Sequence, residues 1–198
     1  MNYAFKLFDF KGSPIYLKYW FFVLLLIVPV NMFFSIFLGV LLHELAHIYV
    51  AKKLNYRVGS VNIDILYGSA EIGYISDHVD NILVSIAGPI SNLLLVIIGS
   101  SLNYFIPLDF FETMIEVNFF IFLFNILPIY PLDGGRISKS LFSMLFGNMR
   151  GMFYNGILSF IFSIFLFIYS ISSGMMMLTI FSIFFAYLSY KEIDMSKS

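Results

Sequence analysis

Long apolar stretches separated by short polar ones run along most of this chain. A helix that spans the hydrocarbon core of a bilayer needs about 20 mostly apolar residues, and six stretches approach that length. We therefore predict an all-α membrane protein of one domain, residues 1–198, with six transmembrane helices at about 15–30, 32–53, 81–103, 113–128, 152–171 and 174–190. The Pro/Asn sequence VPVN joins the first two helices through a tight turn.

The segment between the second and third predicted helices has a different pattern. Residues 57–75, RVGSVNIDILYGSAEIGYI, show short alternating apolar runs interrupted by Gly59, Gly68 and Gly73. Alternation with a period of two predicts strands, and the glycines predict turns. We therefore expect a small membrane-associated β-hairpin at about 57–75, with a simple surface loop as the alternative.

Residues 128–136, PIYPLDGGR, cannot be helical throughout. Pro128 and Pro131 each lack a backbone N–H and favour an extended conformation of the residue before them. At membrane depth, irregular backbone is tolerated only where protein or a water-filled cavity supplies hydrogen bonds. We therefore predict a broken re-entrant segment beside a polar cavity.

The composition agrees with a membrane protein. Hydrophobic residues make up 60% of the chain and charged residues 12%, and the mean hydropathy is +0.91. A soluble domain of this length could not cover its surface with so few charges. Eleven basic against twelve acidic residues give no indication of a nucleic-acid partner. The first apolar run lacks a small-residue cleavage sequence, so we expect a retained membrane helix and not a signal peptide.

The distribution of charge predicts an orientation in the membrane. If the N-terminus is cytoplasmic, all eleven basic residues lie on the cytoplasmic side, in four groups: Lys6, Lys11, Lys18; Lys52, Lys53, Arg57; Arg136, Lys139, Arg150; and Lys191, Lys197. The charged residues of the longest outer loop are all acidic: Asp109, Glu112 and Glu116. By the positive-inside rule, both termini should be cytoplasmic.

The sequence HELAH, in one of the most apolar regions, contains the titratable residues His43, Glu44 and His47. On a helix the two histidines lie one turn apart on the same face. In the H-E-x-x-H pattern, two such imidazoles bind zinc and the glutamate polarises the metal-bound water. Ionisable residues in a membrane helix cost about 2.5–3.5 kcal/mol each on insertion scales, which favours a functional role. The alternative is a buried histidine pair hydrogen-bonded to the backbone or to each other, with a neutral glutamate.

A catalytic zinc usually has three protein ligands and one open position. The chain has no cysteine, and its third histidine, His78, lies in a predicted cytoplasmic loop, where a surface role is expected. The third ligand should therefore be a carboxylate. Asp133 is the best candidate because it follows the proline break and falls, in the predicted topology, at a depth similar to that of His43. The alternatives are a turn residue or the N-cap of a helix that begins near Arg136.

Together, HELAH, AGPISN and NILPIYPLDGGR resemble, in this order, motifs of the site-2 protease family (peptidase family M50) of intramembrane zinc metalloproteases. The resemblance covers about residues 15–190. It is nearest to the bacterial subgroup that processes a membrane-tethered sigma-factor precursor during sporulation (stage IV sporulation protein FB-like). It implies that His43, His47 and Asp133 are the zinc ligands and that Glu44 is the catalytic base.

The same resemblance implies roles for further residues. Asn125 matches an asparagine that would contact the substrate backbone or the transition state, with capping of a broken helix as the alternative. Gly88 and Pro89 match the third-helix motif and permit close helix packing. Asn92 is either a substrate contact or a hydrogen-bonding group across the site. Gly68 is a candidate substrate contact, because the edge of a hairpin can accept an unwound substrate strand.

The chain departs from the family pattern in two places. Many relatives have glycine where Ala46 stands, a small-for-small exchange that should leave the ligands undisturbed. Several members of the subgroup carry a C-terminal nucleotide-sensing CBS domain, whereas this sequence ends eight residues after Tyr190. We therefore expect no regulation through such a domain, and no PDZ-like insertion.

The resemblance implies hydrolysis of peptide bonds near the cytoplasmic leaflet of a bacterial cytoplasmic membrane, with Zn²⁺ as cofactor. The implied partners are a membrane-spanning or membrane-tethered protein substrate, the lipid bilayer and a possible membrane inhibitor protein; the oligomeric state is left open.

Two other classes of function are considered. The first is a catalytically silent scaffold, against which the intact Glu44 argues. The second is an ion transporter, whose inverted repeats are not apparent. A membrane-anchored zincin is excluded because no segment outside the spans is long enough for a soluble catalytic domain.

Overall fold

The computed structural model describes residues 4–63, 68–73 and 75–196 and divides into two compact units. The first unit comprises Met1–Ile75 and Ala87–Leu123, and the second comprises Ser76–Ile86 and Phe124–Ser198. Each unit is described by itself. The first contains the sheet and the helix with the two histidines, and the second contains the segment with Asp133.

The first unit contains a four-stranded sheet. Its strands are β1 (Ala4–Phe10), β2 (Ser13–Lys18), β3 (Val58–Ile63) and β4 (Gly68–Ile72), and they lie side by side in that order. The pairs β1/β2 and β3/β4 are antiparallel, whereas β2 and β3 are parallel.

The predicted hairpin at 57–75 is present as strands β3 and β4, although residues 64–67 and Tyr74 lie outside the described part. The sheet, however, has two more strands than expected. The all-α prediction was therefore wrong for the N-terminal segment.

Alternating side chains of the sheet form the core of the first unit. Ile15 and Leu17 of β2 and Val61 and Ile63 of β3 are buried and pack with apolar side chains of the neighbouring helical segments, Phe21, Phe33 and Ile48. Because successive side chains of a strand point to opposite faces, these odd-numbered positions direct one face of the sheet onto the helices. This packing explains why residues 13–18 pair as a strand.

The predicted first span, residues 15–30, was wrong. Its first residues belong to β2, and the remainder forms a 3-10 helix over Tyr19–Val23 and the four-residue helix α1 (Leu24–Ile27). At about 2.0 Å per residue for 3-10 and 1.5 Å for α geometry, these nine residues reach roughly 16 Å, half of the hydrocarbon thickness. Within this run, Phe21 is buried and packs against Phe33 and Phe37 of the next helix, whereas Leu26 and Ile27 are exposed.

Four helices within the described residues are long and apolar enough to cross a membrane: α2 (Val30–Lys53), α3 (His78–Phe105), α6 (Asn148–Ser172) and α7 (Met176–Met195). They correspond to the predicted spans at 32–53, 81–103, 152–171 and 174–190. The predicted span at 113–128 is helix α4 (Asp109–Asn125), whose 17 residues reach only about 25 Å. The count of six spans is therefore not confirmed.

The turn between β1 and β2 is attached to the C-terminal end of α2. Lys11 and Gly12 have positive φ angles of 48° and 80°, which close the turn. The ammonium group of Lys52 donates to the carbonyl oxygens of Phe10 and Lys11, and the ammonium group of Lys11 lies 4.0 Å from the centre of the Tyr49 ring. Two of the predicted groups of basic residues therefore meet at one end of the first unit.

The second unit is helical. Helix α5 (Asp133–Phe146) packs against α6, and α6 packs against α7. From the sequence alone, a helix beginning near Arg136 is only an alternative, with Asp133 as its N-cap, because polar residues interrupt the apolar pattern: Arg136, Ser138, Lys139 and Ser140. The helix is present but begins at Asp133, with Leu132 as its N-cap. At 14 residues it is about 21 Å long. The predicted break before it is present, since α4 ends at Asn125 and the next helix begins at Asp133.

Candidate metal centre

The two histidines of HELAH lie on one buried face of α2. His43 is 6% exposed and His47 is 4% exposed, and their ring centroids are 4.7 Å apart. Their Nε2 atoms are 3.0 Å apart. The helical spacing of four residues, together with this orientation, directs the same nitrogen of both rings to one point, as two ligands of one metal ion require.

The other ring nitrogen of His43 is bonded to α3. Nδ1 lies 2.6 Å from Oδ1 of Asn92, an acceptor, so Nδ1 carries the proton and Nε2 keeps its lone pair. The amide of Asn92 donates to the carbonyl oxygen of Gly39 at 3.2 Å and to Oδ1 of Asn118 at 2.9 Å. Such a bond to the rear nitrogen fixes the tautomer and the ring orientation of a metal-binding histidine.

Asn118 was not singled out in the sequence. It lies on α4, is fully buried, and donates to the carbonyl oxygen of Met114 at 2.9 Å. With its acceptor occupied by Asn92, it completes a chain of hydrogen bonds that ends at His43. In the sequence, Asn118 is visible only as an uncharged polar residue within an apolar helix. Such a residue indicates a contact inside the protein but does not show which residue it contacts.

Gly88 lies against the metal-facing side of both histidines. A Cβ atom added at this position would press on the Nε2 atoms of His43 and His47. Glycine is therefore required at position 88 because α3 approaches α2 where the two nitrogens converge, and no side-chain atom fits between the helices there. The adjacent Pro89 is also buried and lies inside α3.

Glu44 is the carboxylate of the motif and is 6% exposed. Among the residues that the structure describes, no hydrogen bond or ion pair to its carboxylate is found. A buried carboxylate costs free energy unless water, a ligand or a cation compensates it. Its position beside the histidine pair is the one that H-E-x-x-H assigns to a residue acting on a metal-bound water.

Asp133 is the first residue of α5 and is 6% exposed. Arg136, one turn later, places Nη1 4.0 Å from Oδ1 of the aspartate and donates through Nη2 to Asn81 at 3.3 Å. Gly134 and Gly135 press the first turn of α5 onto the preceding loop, since a Cβ at either position would collide with backbone of residues 126–130. The double glycine of the motif therefore serves close packing.

His43, His47 and Asp133 each offer one ligand atom, and these atoms all lie within 4.8 Å of one another. Ligand atoms in a tetrahedral zinc site, bound at about 2.0–2.2 Å, are about 3.3–3.6 Å apart, so shared coordination requires the most distant pair to approach by at most about 1.5 Å. The donor set of two imidazoles and one carboxylate leaves a fourth position open, as in catalytic zinc sites. The residues present therefore fit zinc.

The remaining candidates lie at element ends. Asn125 is the half-buried last residue of α4. Gly68 is the first residue of β4, opposite Ile63. His78 is the first residue of α3 and lies 2.9 Å from Oδ1 of Asn148; it belongs to no metal-binding group among the described residues.

Four helices long and apolar enough to cross a membrane, together with the buried group of His43, His47 and Asp133, are the features of an integral membrane protein with a possible metal site. Comparison with known proteins identifies the family that this chain resembles. Residues 100–169 match the model of Peptidase family M50. A solved structure titled site-2 protease from Methanocaldococcus jannaschii has the same fold, with a TM-score of 0.73 at 24% identity over 96% of this chain and 95% of that one.

Two curated relatives are similar in sequence. Zinc metalloprotease MJ0392 of Methanocaldococcus jannaschii is 29% identical over 167 residues, which cover 76% of this chain and 49% of that protein. Putative zinc metalloprotease YwhC of Bacillus subtilis is 34% identical over 139 residues, which cover 50% of this chain and 64% of that protein. The chain thus spans about half to two thirds of these relatives. The match to Peptidase family M50 lies within residues 100–169, both relatives are named as zinc metalloproteases, and His43, His47 and Asp133 form a group that could hold zinc.

Proposed function

We propose that this protein is an intramembrane zinc endopeptidase that hydrolyses peptide bonds of membrane-tethered proteins near the cytoplasmic leaflet. The observation that carries the proposal is the convergence of His43, His47 and Asp133 beside Glu44. Metal-ligand residues alone would also suit a scaffold or a transporter. The fourth residue, a carboxylate next to an open coordination position, is what water-activating zinc hydrolases require.

In the proposed reaction, His43, His47 and Asp133 would hold zinc. When bound, zinc would supply Lewis-acid polarisation of the scissile carbonyl and would acidify a water molecule. Glu44 would accept a proton from the attacking water and pass it to the leaving nitrogen. The C–N bond would break to give a carboxylic acid and an amine, which exchange a proton to leave a carboxylate and an ammonium group. Asn125 is proposed to donate to the carbonyl oxygen as negative charge develops there.

Two residues receive different proposed roles from these contacts. The amide of Asn92 is engaged by His43, Gly39 and Asn118 and is fully buried. We therefore favour a positioning role for Asn92 over a substrate contact. Gly88 leaves room for the ligand nitrogens and, by its place beside them, for the substrate backbone.

A substrate helix must unwind before it is cut, because its peptide bonds are hydrogen-bonded and shielded. The hairpin provides a place for the unwound strand, since β4 is at the edge of the sheet. The N–H of Gly73 donates to the carbonyl oxygen of Arg57 at 2.9 Å. Because N–H groups alternate along a strand, those of Gly68, Ala70 and Ile72 point to the outer edge. A substrate strand could bind there by β-augmentation.

This proposal predicts different effects of proline at two adjacent positions. Ala70→Pro removes one outward donor, a substitution that an edge strand tolerates. It should lower cleavage of a tethered substrate about fivefold, by the loss of one hydrogen bond worth about 1 kcal/mol. Ser69→Pro removes a donor directed at β3 and should instead lower the thermal stability. The edge proposal is wrong if Ala70→Pro cleaves at the wild-type rate.

The orientation follows from the basic residues. Lys52 and Lys53 end α2, and Lys191 lies in the last turns of α7. By the positive-inside rule we place these ends, and both termini, in the cytoplasm of a bacterial cell. A sporulation-linked sigma-factor precursor is the proposed substrate class, and a membrane inhibitor protein a proposed partner, on the motif resemblance alone.

The test is cleavage of single-span fusion proteins, sigma-factor precursors among them, by the purified protein in liposomes. We expect product termini within or next to the span, and no product from the Glu44→Gln variant. A scaffold would bind one of these proteins equally well in both forms and cut none. Metal flux into the liposomes without any cleavage would favour a transporter.

A further inference from the structure

A chain of four polar side chains joins α5, α6 and α7 within the second unit. The Lys139 ammonium lies 2.8 Å from Oε1 of Glu192. The amide of Asn155 donates to Oε2 of the same carboxylate at 3.0 Å. The Ser138 hydroxyl donates to Oδ1 of Asn155 at 2.5 Å. Glu192 is 1% exposed and Asn155 is fully buried.

The buried ion pair of Glu192 and Lys139 is expected to add little to the free energy of unfolding. Glu192 lies on α7, one of the four helices apolar enough to span a membrane, and desolvation of a carboxylate offsets much of what its ion pair contributes. Well-packed apolar residues often stabilise such a position equally well. The polar set therefore suggests that a defined geometry is being held, and α5 is the element that contributes two of its four members, Ser138 and Lys139.

The geometry concerned is that of the first turn of α5, which begins at Asp133. On the N-terminal side of Asp133, the loop is bound to α6: the N–H of Tyr130 donates to Oγ of Ser159 at 3.1 Å, and this hydroxyl donates to the carbonyl oxygen of Pro128 at 3.2 Å. On the C-terminal side, Ser138 is bound to Asn155 of the same helix. Asp133 thus lies between two attachments to α6.

Lys139 connects the two attachments. Its ammonium group contacts Glu192 and also lies 5.6 Å from the centre of the Tyr130 ring, three residues before Asp133. The backbone between them has little freedom, since Gly135 admits no Cβ beside Ile129. A change at Glu192 would therefore be transmitted to Asp133 through Lys139 and through Asn155 and Ser138.

We propose that Glu192 and Asn155 are positioning residues that set the direction of the Asp133 carboxylate. This inference rests on the proposed function, in which Asp133 is the third zinc ligand. Neither residue touches the metal or the substrate in this assignment. They act through α5, as outer contacts of metal ligands do in other sites.

The test is the zinc dissociation constant of Glu192→Gln, measured by competition with a chromophoric chelator. Glutamine keeps the shape but removes the charge that pairs with Lys139. We expect zinc to bind about 3- to 10-fold more weakly, which is less than the effect of about 10- to 100-fold for losing a direct contact of a ligand, because Glu192 acts on Asp133 only through Lys139 and Asn155. The matched control is Asp194→Asn, an exposed carboxylate on the same helix, which should bind zinc as the wild type does.

A second variant separates positioning from folding. Lys139→Met combined with Glu192→Met removes both charges and keeps apolar volume. The removal of the buried charge pair offsets part of the cost of the unpaired Asn155 amide, so the melting temperature should fall by only a few degrees. Zinc binding should nevertheless weaken as in Glu192→Gln, because Asn155 has lost its acceptor. Wild-type zinc affinity in this double variant, or in Glu192→Gln, overturns the inference.

The same assay distinguishes this failure from failure of the proposed function. If Asp133→Asn weakens zinc binding and the two Glu192 variants do not, only the positioning role is wrong. If Asp133→Asn itself binds zinc like the wild type, the ligand assignment is wrong and the positioning role is overturned with it.

Discussion

Replacing Glu44 by glutamine should lower the cleavage rate by about 10²- to 10⁴-fold, the usual contribution of a general base, while zinc remains bound. Glutamine has the shape of glutamate but cannot take a proton from the attacking water. His43, on the same helix, keeps its position because its Nδ1 is bonded to Oδ1 of Asn92 on α3. The measurements are the rate of product formation from a tethered substrate and the zinc content per chain.

The matched control for this substitution is Glu116→Gln. Glu116 is an exposed residue of α4, and its replacement should change neither rate nor zinc content. Loss of zinc in Glu44→Gln would mean that Glu44 supports the site structurally. An unchanged rate would remove Glu44 from the reaction and favour another source of catalysis or a non-enzymatic role.

Replacing Gly88 by alanine should abolish zinc binding and cleavage together. The new methyl group would press on the Nε2 atoms of both His43 and His47, the atoms that coordinate the metal in this account. The His43 ring cannot simply turn away, since its Nδ1 is held by Asn92. We expect zinc affinity to fall at least about 100-fold, more than for the loss of an outer contact.

Gly99→Ala is the control for Gly88→Ala because it adds the same atom to the same helix. Its Cβ would meet the Cε atom of Met114 at 2.7 Å, and the flexible methionine side chain can move aside. This variant should bind zinc and cleave substrate like the wild type. Equal zinc affinity of Gly88→Ala and the wild type would mean that the two histidine nitrogens do not face α3 when the metal is bound.

The site could be predicted from the sequence more completely than the fold around it. His43, Glu44 and His47 are close in the chain, so helical spacing alone places them together. Asp133 followed from the chemistry of zinc, because a chain without cysteine leaves a carboxylate as the remaining ligand. Its role as a ligand is still a proposal, supported by the distances between the three ligand atoms, which are all within 4.8 Å.

The errors arose where tertiary packing outweighed local pattern. Residues 15–30 are apolar enough for a span, yet Ile15 and Leu17 are apolar because they face the sheet core. The parallel pairing of β2 with β3 joins residues more than 40 positions apart, and no local period reveals such a pairing. Asn118 was missed because a single polar residue in an apolar helix does not identify its partner. Glu192 was missed because it lies beside Lys191 and Asp194 in a charged helix end, where the sequence does not show which carboxylate is buried.

The most direct test of the account is the zinc content and affinity of the wild type beside Asp133→Asn. Asparagine keeps the size of the side chain but lacks the charge that favours Zn²⁺ coordination. The account predicts one zinc per wild-type chain and binding at least about 100-fold weaker in the variant. Equal, stoichiometric binding in the two proteins would contradict it, because the metal would then be held without the aspartate.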